Sequence, residues 1–574
     1  MVVAGLGGGA RVRGCVVVLL LGVLAACTAG TPGAAPTEAT TPTASAALSV
    51  VPAARPAAAT VVDGDEATAA ASTSAALLDA APVAVVAAAG DVAGGLTGAT
   101  AAVALGAPLL LAGGGADVRA ELARLGAAHL LVVGDVPDDA LPADVVRVRV
   151  PSGADGAALA AATGHRFGPA TPVPVGGEVD AVRALAGPEP AVLVLDGAPA
   201  PAAPTQPAPS ATPSATPAPA GLPSTTPAAV PDVLALADGP VPTAALATLR
   251  ALDVDVLDVP GGDPRATTAT VQALAQADPA AVVAFGPTFG QSDLLAARVA
   301  TARTGVELPG GGQLVFPAVA GQPGKKYVAL YGTPGSGALG VLGEQDVPAT
   351  VARAQEHAAM YADLTSDTVV PAVEIIATIA SAGPEDDQTY SRRRAVDDLR
   401  PLVDAAAAAG QYVLLDLQPG RTDFVTQAQA YAELLELPHV GLALDPEWRL
   451  APDQVHLRQI GSVGIDEVNA TAAWLAGFTR ERALPQKMFV LHQFSLRMIT
   501  ERERLDTSFD ELAPLIHVDG QGTQGAKAGT WAALRAGAPP VHWGWKNFYD
   551  EDLPMLDPAA TYRVEPVPDL VTYQ

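Results

Sequence analysis

Acidic, imidazole and amide side chains recur at the ends of strand-like runs in the second half of this 574-residue chain. Glu374 lies near the end of the run 369–376, Asp416 and Gln418 at the end of 412–417, and Asp445 with Glu447 just beyond 440–444. His492 and Gln493 follow 488–491, His517 and Asp519 bracket the end of 515–518, and Trp545, Lys546 and Asn547 stand at the end of 541–545. A single carboxylate after a strand is as readily the cap of the next helix. Six such strand ends in succession point instead to one shared site.

The fourth strand of the series is the most informative. In Gly441-Leu-Ala-Leu-Asp-Pro-Glu-Trp448, a period of two puts Gly441, Ala443, Asp445 and Glu447 on one face and Leu442 and Leu444 on the other. The leucine face is suited to packing on helices, so the small-residue face delivers two carboxylates two residues apart. Like charges that close push one pKa up. A neutral carboxylic acid beside an ionised carboxylate is the pairing that cleaves glycosidic bonds.

These groups need a scaffold that brings strand ends together. With a further run at 327–331 the second half holds seven strand-like runs, separated by helical, Ala-rich segments at 347–361, 396–409, 425–435, 466–478 and around 510–512. Residues 321–574 match the roughly 250 residues of a TIM-like (β/α)8 barrel, whose active sites form at the C-terminal strand ends. The eighth strand is expected either at 313–319 or near Tyr562. All five Trp, all nine Tyr and six of the eight His lie beyond residue 326, so binding chemistry is expected there.

Other chemistries are less well supplied. His492 and His517 have no His-Glu-x-x-His or comparable ligand spacing, so no metal site is expected, and no motif marks a cofactor. Gly335-Ser-Gly337 is not a Gly-x-Ser-x-Gly nucleophile elbow. Gly261-Gly262 and Gly286–Gly290 have no Gly-Lys-Ser/Thr or Gly-x-Gly-x-x-Gly around them and read as turns. A net charge of −27 argues against nucleic acid as a partner.

The Asp-x-Glu at the end of the fourth strand resembles the site of glycoside hydrolases of the chitinase (family 18) and lysozyme (family 25) type, which also have (β/α)8 folds. The resemblance implies that Glu447 is the proton donor and that Asp445 orients it or a substrate acetamido group. Asp416, Asp519 and His517 or His492 would complete the site, with Glu374, Gln418 and Lys546 in reach of substrate. Trp448, Trp543 and Trp545 would offer flat faces for sugar rings. Gly441 and Ala443 stand where chitinases carry further acidic residues, and Pro446 splits the pair. The segments Leu415–Asp423, Leu444–Arg449 and Trp543–Asp550 also resemble an uncharacterised family of actinobacterial lipoproteins, which implies no activity.

The first half is aliphatic and small. Strand-like runs at 82–87, 108–112 and 129–134 alternate with helices at 99–105 and 118–125, the pattern of a parallel α/β unit over 61–150. Ala88-Ala-Gly-Asp91, Leu105–Leu111, Glu121–Ala127 and Val132-Val-Gly134 resemble the type 2 cell-wall-binding repeat of Gram-positive surface proteins, with Asp63-Gly-Asp65 in place of its usual start. That resemblance implies a cell-wall polymer or glycan as partner. Residues 151–320 are expected to form a degenerate second unit, with a disordered Pro/Ala/Thr/Ser insert at 198–229.

The N-terminus reads as an export signal. Arg11 and Arg13 precede an apolar run from Cys15 to Leu24 that closes on Leu24-Ala-Ala-Cys27. The tetrapeptide resembles a lipobox, which implies cleavage after residue 26, lipid on Cys27 and anchoring to the outer face of the cytoplasmic membrane. Residues 27–60, rich in Ala, Thr, Pro and Ser, are expected to be a disordered tether. The chain has two Cys; the signal removes Cys15 and the lipid uses Cys27, leaving neither disulfide nor thiolate chemistry.

Overall fold

In the C-terminal half, period-2 alternation builds two cores from one sheet. Tyr327, Ala329, Val370, Ala372, Tyr412, Leu414, Ala443, Met488, Val490 and Leu515 fill the inside of a barrel. Their neighbours Val328, Leu330, Val373, Val413, Leu415, Leu442, Phe489 and Ile516 point outward against the helices. The computed structural model describes residues 47–54, 57–197 and 221–574. The expected signal, Cys27, the first part of the tether and most of the insert lie outside these residues. Among the described residues, no helix is long and apolar enough to cross a membrane.

The barrel strands are β1 (Lys325–Gly332), β2 (Thr368–Ala380), β3 (Tyr412–Leu417), β4 (Val440–Leu444), β5 (Lys487–Gln493), β6 (Leu512–Val518), β7 (His542–Asn547) and β8 (Leu570–Tyr573). All eight pair in parallel in sequence order, and β8 pairs with β1 to close the ring. The fold class is therefore α/β with a closed (β/α)8 barrel, as the sequence implies. The eighth strand is neither 313–319 nor at Tyr562. It is the four-residue segment near the end of the chain.

Residues 313–319 plug the floor instead. Val315 and Leu308 are buried with the inner core, the Tyr327 hydroxyl donates to the Val315 carbonyl (3.1 Å), and the Val315 amide donates to Gln486 Oε1 (3.1 Å). The helix expected around 510–512 is absent because Leu512 begins β6, while the Asp510 carboxylate turns away to pair with Arg298 and Arg265. The helix expected at 425–435 forms as two, Phe424–Gln429 and Ala432–Leu435.

Glycine matters at two close approaches in the barrel wall. A Cβ on Gly441 would lie 2.7 Å from the Met488 carbonyl and 2.8 Å from the Tyr412 hydroxyl. That hydroxyl accepts from the Met488 amide across the interior. A Cβ on Gly544 would lie 2.9 Å from the His517 ring. Each glycine thus vacates the interior for a larger polar neighbour.

The N-terminal half holds two four-stranded parallel sheets that share the order of their first three strands and differ in the fourth. The first runs 109–112, 83–88, 129–133, 146–150; the second runs 256–258, 233–237, 281–285, 59–62. Strand 59–62 thus crosses to the second sheet, where it pairs with 281–285, so the segments 61–150 and 151–320 are interleaved rather than consecutive. A two-stranded parallel sheet (170–173 with 192–195) lies in between in sequence. Asp65, in the segment that stands for the start of the repeat, caps helix Glu66–Leu77 through the Thr68 amide and accepts from the Gly115 amide. Leu48 exchanges backbone hydrogen bonds with Ser224 and Thr226, and Val50, Leu222 and Val230 are buried. The paired backbone therefore reaches into both the tether expected to end at 60 and the insert expected to end at 229, because these few aliphatic residues find a core.

Candidate functional site at the barrel mouth

The same alternation that fills the barrel floor with apolar side chains switches to polar ones at the C-terminal ends. Tyr331, Glu374, Asp416, Asp445, His492, His517, Lys546 and Thr572 continue the inward rows of the eight strands, and Asp519 follows β6. All are buried. The structure therefore brings Glu374, Asp416, Asp445, His492, His517, Asp519 and Lys546, all singled out in the sequence, to one end of one barrel.

His492 is the centre of this ring. Its Nε2 lies 2.7 Å from Glu374 Oε1 and its Nδ1 3.2 Å from Asp519 Oδ2. Burial disfavours the charged imidazole, but Glu374, Asp519 and Asp416 outweigh it and hold the His492 pKa well above the ordinary histidine range. A carboxylate facing each nitrogen lets both donate, the arrangement that favours the imidazolium. His517 stacks on it with ring centroids 4.9 Å apart. Burial, then the charges of His492 and Lys546, push His517 well below the ordinary range and keep it neutral. Its Nε2 shares a hydrogen bond with Thr572 Oγ1 (3.1 Å).

On the opposite arc the Tyr331 hydroxyl donates to Asp416 Oδ2 (2.8 Å), and Lys546 Nζ sits 3.4 Å over the centre of the Tyr331 ring. Burial pushes Asp416 up to about 6 against the opposing charge of His492. Burial and the neighbouring Glu447 and Asp416 raise Asp445 well above the carboxylate range. Burial and the charge of Asp519 push Glu447 up to about 7.

Glu447 sits at the partly exposed rim on a short 3-10 turn, Pro446–Trp448. The Gly461 amide donates to the Glu447 carbonyl at 2.6 Å, and a Cβ on Gly461 would fall 2.5 Å from that oxygen, so only glycine holds the turn this closely. The nearby arginines are engaged elsewhere. Arg449 pairs with Glu467 (3.0 Å), while Arg421 donates to the Gln454 carbonyl and lies over Tyr390. The Glu447 carboxyl has no ion-pair partner among the described residues and so remains available for chemistry.

Two expectations about aromatics are corrected. Trp543 and Trp545 alternate with Gly544 and Lys546 and therefore face the helices. Trp545 is 2% exposed, donates from Nε1 to Asn547 Oδ1 (2.9 Å) and packs edge-on to Trp531 at 5.5 Å. Trp543 packs against Trp531 at 5.8 Å. Neither reaches the mouth, whereas Trp448 stays at the rim. Gln418 borders the ring: its Oε1 accepts from the Ala380 amide (2.9 Å) and its Nε2 lies 3.5 Å from the Tyr331 hydroxyl. Tyr331 and Thr572 were not among the sequence candidates, although both continue inward rows that alternation makes visible.

Five of the thirteen buried side-chain polar atoms without a partner, among the described residues, belong to this ring: Glu374 Oε2, Asp416 Oδ1, Asp445 Oδ1, His517 Nδ1 and Asp519 Oδ1; a sixth, Trp448 Nε1, lies on the adjoining turn, where its ring packs on His456. Buried polar atoms are normally satisfied, and leaving one bare costs about 1–3 kcal/mol. This concentration makes the barrel mouth the candidate site. Among the described residues no cluster of three His, Cys, Asp or Glu is placed to hold a metal ion.

No family model matches the chain, and no curated protein matches it. Among solved structures, Cwp6 from Clostridium difficile is similar at a TM-score of 0.29 and 13% identity, over 63% of this chain and 63% of that one. CcCel6C, a glycoside hydrolase family 6 enzyme from Coprinopsis cinerea, is similar at a TM-score of 0.17 and 12% identity, over 49% of this chain and 69% of that one. The chain thus spans less than two thirds of the length of Cwp6. Likeness at this level carries no inference about activity.

Proposed function

We propose that the barrel hydrolyses glycosidic bonds in a cell-wall or extracellular glycan, on a chain exported and held at the outer face of the cytoplasmic membrane by lipid on Cys27. The observation that carries the catalytic reading is a rim carboxyl, Glu447, raised to about 7 and without an ion-pair partner among the described residues, beside buried carboxyl groups with unpartnered oxygens. A carboxyl in that range is protonated often enough near neutral pH to act as an acid.

In this reading Glu447 gives its proton to the leaving glycosidic oxygen as the bond to the anomeric carbon breaks. Water supplies the hydroxyl at that carbon, and its remaining proton goes to an ionised carboxylate of the ring. Asp445 and Asp416 are the candidates to steady the positive charge that develops on the sugar. His492, clamped between Glu374 and Asp519, positions those two carboxylates and offsets their charge. Trp448 supplies an apolar edge at the rim. The experiment is turnover of a glycan panel by wild type and Glu447→Gln, with the variant's binding measured alongside.

A second reading, a barrel that binds glycan without cleaving it, draws support from the near-complete burial of Asp416 and Asp445 (0% and 3% exposed). Binding of isolated walls by wild type with no turnover on any glycan would favour it.

A further inference from the structure

The mouth carries five carboxyl groups, Glu374, Asp416, Asp445, Glu447 and Asp519, against two basic side chains, His492 and Lys546. Of these, only His492 is hydrogen-bonded to carboxylates of the ring. His492 is bonded at both nitrogens by Glu374 and Asp519, and Lys546 lies on the Tyr331 ring. One oxygen each of Glu374, Asp416, Asp445 and Asp519 nevertheless remains buried without a donor. These four bare acceptors come from β2, β3, β4 and the end of β6. A separate observation points the same way: the His517 ring, wholly buried at this level, leaves Nδ1 without a partner.

A ligand for this ring must bring hydrogen-bond donors, and preferably positive charge. Uronates, phosphate-bearing wall polymers and sialylated glycans would add anions to an anionic ring. A neutral acetamido sugar has one amide N–H and its hydroxyls to offer. A protonated amino group has three donors and a charge that counters the carboxylates, and hydrogen bonds between ionised groups are about twice as strong as neutral ones.

We propose that the barrel mouth selects glycans bearing free amino groups, with an ammonium of the sugar seated among the unpartnered oxygens of Asp416, Asp445 and Asp519. The inference rests on the reading of the mouth as a glycan site. It departs from the acetamido substrate that the resemblance to chitinases implies. The amino sugar also leaves Glu447 at the rim free to address the glycosidic oxygen.

The test is calorimetric titration of the full chain with the hexamer of β-1,4-linked glucosamine and with its fully N-acetylated counterpart, in about 0.15 M salt so that diffuse surface attraction is screened. The amino oligomer is expected to bind at least tenfold tighter. In Asp445→Asn and Asp519→Asn, each checked for an unchanged near-ultraviolet circular dichroism spectrum, the preference should shrink to about twofold or less. If one variant fails to fold, the other decides. Equal or tighter binding of the acetylated oligomer overturns the inference. So does binding of neither, or a preference that survives the substitutions, since the acidic surface would then be its source.

Chromatography of the same mixtures separates this inference from the catalytic reading. Cleavage of the acetylated hexamer without any preference in binding would leave the hydrolase standing and remove the amino-sugar assignment. Preferential binding of the amino hexamer without cleavage of either would do the reverse.

Discussion

Replacing Glu447 with Gln removes a carboxyl whose ionisation the barrel mouth resists. Burial and Asp519 move its pKa from 4.5 to about 7. That difference corresponds to roughly 3 kcal/mol favouring the neutral over the charged form in the folded chain. Because the folded value is the higher one, the stability it represents is fully present below pH 4.5 and is lost as pH rises through 7. Gln keeps the shape and cannot ionise. The variant should therefore be about as stable as wild type near pH 4.5 and more stable by up to ~3 kcal/mol at about pH 8. Denaturant unfolding followed by Trp fluorescence reads the barrel selectively, since all five Trp lie between 448 and 545. A gain that does not vary with pH would refute the electrostatic reasoning. A loss of stability at pH 8 would show that Glu447 is held as an anion by a partner, which the geometry denies.

Four further outcomes follow from the barrel. His492→Gln removes the charge between Glu374 and Asp519 and leaves two buried carboxylates facing each other; a loss of about 3–5 kcal/mol in denaturant unfolding is expected. Trp545→Ala should cost about 3–5 kcal/mol of stability as a core truncation, with oligosaccharide affinity changed less than about twofold, while Trp448→Ala should weaken binding by up to about tenfold. If the required form of Glu447 is the protonated one, hydrolysis should fall about tenfold per pH unit above pH 7 in a pH–rate profile.

Much of the barrel was legible because its rules are local. Alternation in 412–417 and 440–444 fixes which face is inside, and the observed strands have those bounds. The same rule, applied to Trp543-Gly-Trp-Lys546, separates Gly544 and Lys546 from the two tryptophans. Chemistry-bearing residue types alone drew all of them to the mouth, and only register returns Trp543 and Trp545 to the helix side. Leu570–Tyr573 escaped because four residues are too few to show a period, and its meaning comes from closure between β7 and β1. Tyr331 was hidden because a tyrosine reads as core until Asp416 and Lys546 are seen around it. In the first half, the local β–α–β pattern is correct at 82–87, 108–112 and 129–134, whereas the strands at 146–150 and 170–173 were not expected. The crossing of 59–62 into the second sheet is a long-range pairing that no periodicity records.

The most direct test of the central claim compares wild type and Glu447→Gln on a panel of amino- and acetamido-glycans, with new reducing ends measured near pH 6 and binding measured by calorimetry. Wild type should release reducing ends from at least one glycan, and Glu447→Gln should lose about 10²–10⁴ in kcat, roughly 3–5 kcal/mol, while affinity stays within a few fold. Turnover in the variant equal to wild type, or no turnover by wild type on any glycan that it binds, would contradict the account.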